Sequence, residues 1–160
     1  FLDAGTTVMS LVRQLPNQHY TIVTSGANIA IELSQRSRST VSCVGGQISS
    51  STLSLSGPQA EAFLATVNID TAVLAATGYS TGAGFTVGSY TENSLKRRVI
   101  QKADKVILLI DRSKLGRTLP FTFASLSDID VVICDAPLPE DFIQAARAAG
   151  TEVLQVQPAK

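Results

Sequence analysis

Apolar positions along the chain alternate between two periods. Val8, Leu11, Val12 and Leu15 recur at i, i+3, i+4 and i+7, which predicts an amphipathic helix over residues 7–15. Thr6 or Thr7 could cap it, and Pro16 ends it. Tyr20-Thr21-Ile22-Val23 is a run of β-preferring residues and reads as a strand. A helix follows from Ser25-Gly26-Ala27-Asn28 to about Gln35, then a strand over 40–44 that Gly45-Gly46 stops. Residues 47–56 are rich in Ser and Thr with alternating Leu53 and Leu55, the pattern of an edge hairpin. Gly57-Pro58 opens a helix ending near Val67, proline being favourable in a first turn.

The second half repeats the alternation. Residues 71–76 form a buried strand, and the four glycines within 78–88 predict a loop. A helix over 92–103 places Leu95, Val99 and Ala103 on one face. Strands follow at 105–110 and 130–134. Helix 139–149 buries Phe142, Ile143 and Ala146 and closes at Gly150, and residues 151–156 make a last strand. Strands and helices alternate, and three strand runs (73–76, 106–110 and 131–134) are apolar on both faces. The predicted fold is α/β, Rossmann-like: a mostly parallel sheet with helices on both faces, plus a small edge hairpin. There is no repeat and no domain break, so the chain reads as one domain.

Composition narrows the function classes. The 160 residues are 44% apolar and 16% charged, enough for a full core. Thirteen basic residues balance thirteen acidic ones, and the longest basic run is Lys96-Arg97-Arg98. A nucleic-acid grip needs a basic face, which this chain lacks. No segment has the pattern of a membrane span or signal peptide. Cys43 and Cys134 fall in predicted strands and read as buried free thiols suited to a reducing cytoplasm. One histidine, His19, in an exposed loop, and two separated cysteines cannot assemble a zinc site or a Ser-His-Asp set. Neither a metal nor a cofactor is expected, because Gly82-Ala83-Gly84 does not match a dinucleotide fingerprint and there is no phosphate-binding P-loop. Phe1-Leu2 reads as the end of a strand, so the natural protein is expected to continue upstream.

Three polar clusters fall near strand ends, where ligands of such sheets collect. Asp3-Ala4-Gly5-Thr6-Thr7 precedes a helix whose free N–H groups favour an anion. Asp111-Arg112-Ser113-Lys114 follows the apolar run 105–110. Glu92 and Lys96 stand at i, i+4; taken alone they read as a surface ion pair. Asp70 begins its strand, at the wrong end for such a crevice, and reads as structural. Together the clusters suggest one crevice for a small, phosphorylated, hydroxyl-rich ligand, with Lys96 and Lys114 facing the same cavity as Gly5-Thr6-Thr7.

In order and spacing, several short motifs resemble the C-terminal sensor domain of the DeoR family of bacterial transcriptional regulators. They are Leu2-Asp3-Ala4-Gly5-Thr6-Thr7, Thr21-Ile22-Val23-Thr24, Asn28-Ile29-Ala30 with Glu32-Leu33, Val44-Gly45-Gly46, Ser56-Gly57-Pro58, Ile69-Asp70, Ala75-Ala76-Thr77-Gly78, Glu92 with Lys96-Arg97, and Leu109 through Gly116. The resemblance implies a fold like that of ribose-5-phosphate isomerases and a phosphorylated sugar or polyol effector. It also implies an upstream winged helix-turn-helix that alone contacts operator DNA, and a homo-oligomeric cytoplasmic repressor. Carried over, Gly5, Thr6 and Thr7 would hold the phosphate; Asp3, Thr77, Glu92, Lys96, Asp111 and Lys114 would line the sugar end; Ser25, Gly45, Gly46 and Gly78 would shape the walls. Ser25 stands where the family usually has Asn. The rival readings are a sugar-phosphate isomerase and a pure oligomerisation module. The isomerase reading meets an obstacle: the acid cluster that such enzymes place after the central strand is replaced here by Ala75-Ala76-Thr77-Gly78-Tyr79.

Overall fold

The computed structural model describes residues 1–36 and 38–156. Parallel strands β1 (Thr21–Thr24) and β2 (Thr40–Cys43) form one piece of the sheet. A second piece has the order β11 (Glu152–Gln155), β10 (Val131–Cys134), β8 (Ala103–Ile110), β5 (Ile69–Ala75), all parallel. Residues 1–3 join the two pieces. Leu2 bridges Thr24 on one side and Val73 on the other, through Leu2 N–H to Val23 O (2.8 Å) and Asp3 N–H to Val73 O (2.9 Å). The first residues of the chain thus lie in mid-sheet, and Asp3 ends level with β5.

Strand alternation divides the core in two. Leu2, Ile22, Val73 and Leu109 face α1 (Thr6–Val12) and α2 (Ala27–Arg36), which contribute Val8, Val12, Ile29 and Leu33. Ala72, Leu74, Val106, Leu108 and Ile110 point the other way. There they meet α3 (Pro58–Ala65), α4 (Tyr90–Lys102) and α5 (Glu140–Ala149). Leu108, fully excluded from solvent, exemplifies side chains whose burial contributes roughly 1.5–3 kcal/mol each. Gly150 ends α5 in the left-handed conformation (φ 79°), as the sequence reading expected.

Residues 78–88 are not the predicted loop. They form a hairpin of β6 (Gly78–Ser80) and β7 (Gly84–Val87), and β7 also pairs antiparallel with β9 (Phe121–Ala124). The glycines mark close approach: a Cβ on Gly84 would lie 2.5 Å from Ala124 O, and one on Gly78 would lie 2.6 Å from Arg117 O. This small sheet packs through rings. Tyr79 lies 4.8 Å from Phe85 and 4.7 Å from Phe142, centroid to centroid. The edge hairpin expected at 47–56 is present as β3 (Gln47–Ile48) and β4 (Leu55–Ser56). Helix α1 is shorter than expected, stopping at Val12, and its N-cap is Gly5 with no side-chain cap from Thr6 or Thr7. Cys134 is buried as expected, but Cys43 is exposed, because β2 is an edge strand at this end of the sheet.

Candidate functional site

Asp3 is the centre of a buried polar node. Its side chain is 3% exposed and that of Lys96 is 2%. One carboxylate oxygen accepts from Ala4 N–H (2.9 Å) and from the Ser25 hydroxyl (3.2 Å). The other accepts from Ala75 N–H (3.0 Å) and from Lys96 Nζ. Lys96 also donates to Ala75 O (2.9 Å), lies 3.4 Å from Glu92 Oε1, and stands 5.3 Å from the Phe123 ring centroid. Burial alone would push the Lys96 ammonium pKa down. Asp3, and secondarily Glu92, more than offset that and hold it above the ordinary lysine range. Lys96 is therefore charged, and all three of its ammonium donors have an acceptor within reach.

This corrects the surface-pair reading of Glu92 and Lys96. Only Glu92 reaches solvent, with its side chain 21% exposed. The sequence could not show this, because Asp3 is 93 residues from Lys96. Ser25 is fully buried and also accepts from Ala4 N–H (3.2 Å). It braces the Asp3 loop from behind.

The remaining predicted residues gather at the same end of the sheet. Gly5 (φ 118°) turns the chain out of Asp3 into α1, where Thr6 is exposed and Thr7 half-buried. Gly45 and Gly46 also have positive φ, at 76° and 93°. A Cβ on Gly46 would lie 2.4 Å from Ser56 O, so Gly46 lets the strand end pass tightly under the β3–β4 hairpin. Thr77 follows β5, and its N–H donates to Thr86 O (3.1 Å). Asp111, at the end of β8, caps the single turn Arg112–Lys114 by accepting from Ser113 N–H (2.9 Å). Lys114 lies 3.8 Å from Asp111 Oδ2, both side chains 29% exposed.

A cleft of about 420 Å³ opens between the β3–β4 hairpin and the start of α4. Thr77 and Glu92 line it. Neither Lys96 nor Lys114 does, and neither does the loop at 5–7; Lys96 is consumed by the node behind Glu92 rather than facing a cavity as expected. The sequence reading missed the hairpin hydroxyls, Ser49, Ser51, Thr52 and Ser54 among them, which line one side of this cleft. The signal was present as the Ser/Thr-rich composition of 47–56, but only the fold shows which way it faces. His19 is exposed, with Nδ1 3.0 Å from Arg38 O. Among the described residues no cluster of His, Cys, Asp or Glu is arranged to hold a metal ion, and no helix is long and apolar enough to cross a membrane.

A Rossmann-like sheet with a polar crevice at its strand ends defines a ligand-binding α/β domain. Residues 1–136 match the DeoR C terminal sensor domain, and the chain belongs to that family. It is similar to the HTH-type transcriptional regulator GlpR of Haloferax volcanii, 36% identical over 155 residues, 96% of this chain and 60% of that protein. It is also similar to two Bacillus subtilis proteins. The HTH-type transcriptional repressor GlcR is 31% identical over 153 residues, 96% of this chain and 59% of that protein. The HTH-type transcriptional regulator IolR is 30% identical over 145 residues, 90% and 58% respectively. The chain thus spans 58% to 60% of the length of these relatives.

Proposed function

We propose that this domain binds a phosphorylated sugar or polyol without chemistry and couples that binding to operator recognition by a helix-turn-helix joined to it in a cytoplasmic, homo-oligomeric repressor. The observation that carries this reading is the crevice at the carboxyl ends of residues 1–3, β5 and β8. There the chain leaves Asp3 through an uncapped, glycine-turned loop at 5–7, and Glu92, which shares Lys96 with Asp3, lines a hydroxyl-bearing cleft together with Thr77. The loop suits a phosphate, with Asp111 and Lys114 at the neighbouring strand end. The relatives carry names of transcriptional regulators and a repressor, which supports the regulatory half. An even-numbered assembly suits a symmetric operator.

Binding without turnover follows from how the acids are used. A general base must be free to take a proton next to a carbonyl. Asp3 has both oxygens occupied, one of them by a lysine, and Glu92 faces the same lysine. The segment after β5 has no carboxylate. Effector binding acts through its differential affinity for the DNA-competent and released states.

The test is a thermal-shift and calorimetric screen of this chain against pentose, hexose and polyol monophosphates, with the unphosphorylated compounds and inorganic phosphate as controls. A ligand at a hundredfold excess over its Kd adds about 2.7 kcal/mol, which raises Tm by roughly 5–10 °C in a domain of this size. If no phosphorylated compound shifts Tm or shows saturable heat, the reading is wrong. Turnover of a sugar phosphate that is lost in Glu92→Gln would install the isomerase instead.

A further inference from the structure

The cleft between the β3–β4 hairpin and α4 differs in chemistry from the loop at 5–7. Its wall combines hydroxyls and an amide with a larger share of apolar surface, the kind that the C–H faces of a sugar can cover, and Glu92 is its one ionisable lining residue. Lys96, the cation beside Glu92, is buried behind it and already paired. A phosphate placed here would face a carboxylate with no compensating charge on the wall. A neutral polyhydroxyl chain or ring would meet suitable partners. A carboxylate accepts from neighbouring hydroxyls, serine and threonine hydroxyls both donate and accept, and Gln47 offers an amide of each kind. The volume of about 420 Å³ falls in the ordinary range of small-molecule pockets, roughly 300–1,000 Å³.

The hairpin is also held in place. Leu55 N–H donates to Ser25 O (2.7 Å) and Ala27 N–H to Leu53 O (3.0 Å), tying it to the turn beside Asp3. On the other side the Ser56 hydroxyl donates to Thr91 Oγ1 (3.0 Å), which is itself 3.0 Å from Ser89 Oγ at the start of α4. Between these fastenings Leu53 is the one non-glycine among the described residues with positive φ, at 55°. Such a conformation is unfavourable for a branched side chain and persists where the surroundings over-determine it. The hairpin is therefore a preorganised wall rather than a loose edge.

We propose that this cleft receives the uncharged, hydroxylated end of the effector, and that the β3–β4 hairpin, rather than the loop at 5–7, decides which sugar or polyol is accepted. The proposal rests on the effector-binding reading above and assigns the selection to a hairpin of which residues 47–55 lie outside the family motifs. Gln47 and Ser51 are exposed, so replacing them leaves the core untouched.

The experiment measures calorimetric affinities of the 160-residue chain and of Gln47→Ala/Ser51→Ala for a panel of hexose, pentose and polyol monophosphates, with inorganic phosphate as competitor. The expected result is a loss of about tenfold or more for the best wild-type ligand, the size of one or two hydrogen bonds to a polar ligand. The rank order of the panel should change, and the competing strength of inorganic phosphate should not. Glu92→Gln, which keeps shape and removes charge, should weaken the same ligands. Unchanged affinities, or one common factor across the panel and inorganic phosphate, would overturn the hairpin's selecting role while leaving effector binding intact. Absence of any sugar-phosphate binding by the wild-type chain would overturn the reading on which it rests.

Discussion

Lys96 and Asp3, 93 residues apart in sequence, form one buried ion pair that fastens the mid-sheet strand to α4. Desolvating two charges is expensive, and here the cost is offset by mutual attraction and by hydrogen bonds to Ala4, Ser25 and Ala75. The pair is therefore vulnerable to loss of one partner alone.

Lys96→Met should destabilise the domain by about 3–5 kcal/mol, because it strands the Asp3 carboxylate. Urea unfolding measures this directly, and Asp3→Asn/Lys96→Met should recover much of the loss. A single-variant cost below about 1 kcal/mol would show that the pair is not a fixed element of the fold. It follows that Lys96→Ala is a poor probe of effector contact, since its effect on folding comes first.

Gly46→Ala should destabilise more than Gly5→Ala. Both glycines have positive φ, but a Cβ at Gly46 meets Ser56 O at 2.4 Å while one at Gly5 meets nothing within 4 Å. Gly5→Ala carries only the backbone term, of order 1–3 kcal/mol for this glycine-only conformation. Gly46→Ala adds the displacement of the hairpin base, and hydrogen exchange should show faster opening at Leu55 N–H. Equal Tm losses would contradict the close approach.

The two thiols should react very differently. Cys43 is exposed, whereas Cys134 is buried and burial pushes its pKa up, with a smaller opposing effect from the Ala136 backbone. Thiolate is the reactive form. One equivalent of an aromatic disulfide reagent should be consumed rapidly in the native state and the second only on unfolding. Cys43→Ser should remove the fast phase.

Acid stability should depend on Glu61, which bridges α3 to α4. Hydrogen bonds from Ser94 (2.6 Å) and Arg98 (2.9 Å) hold its carboxyl below the ordinary value of 4.5. A depressed carboxylate contributes stability above its unfolded pKa, and that contribution is lost as pH falls through the folded value. Glu61→Gln should therefore flatten the Tm profile below about pH 4.5, by no more than about 1 kcal/mol for so exposed a pair. Lys96 has the opposite sign. Its contribution is full below 10.5 and is lost only as pH rises through its raised folded value, so Lys96 adds no pH dependence near neutrality.

Much of the architecture was legible because burial leaves a plain record. The runs 106–110 and 131–134 are apolar on both faces because helices cover both faces of β8 and β10, and the Ser/Thr-rich stretch 47–56 does form the edge hairpin. Glycine misled the reading at 78–88. Gly78 and Gly84 are there because the backbone oxygens of Arg117 and Ala124 lie within 2.6 Å of where a Cβ would be, and close approach and loop look alike in sequence. Strand β9 is four residues long, directly after Pro120, and too short to show a period. At the site, Asp3, Glu92 and Lys96 were visible as residue types, but their division of labour was not. Whether a lysine lies on a wall or behind it depends on a partner 93 positions away.

Placing residues 1–3 in mid-sheet has a practical consequence for handling the domain. These residues run parallel to strands whose carboxyl ends frame the crevice, so Phe1 lies at the opposite edge, its amine donating to Thr71 O (2.7 Å). An affinity tag or sensor-chip linker joined ahead of Phe1 leaves that far edge and turns the crevice toward bulk solution. Strand β11 ends at Gln155, in register with Cys134, at the same carboxyl end of the sheet as the crevice. A tether leaving from that end turns the crevice side toward the surface, so amino-terminal tethering is the orientation in which surface-based binding rates report on the pocket.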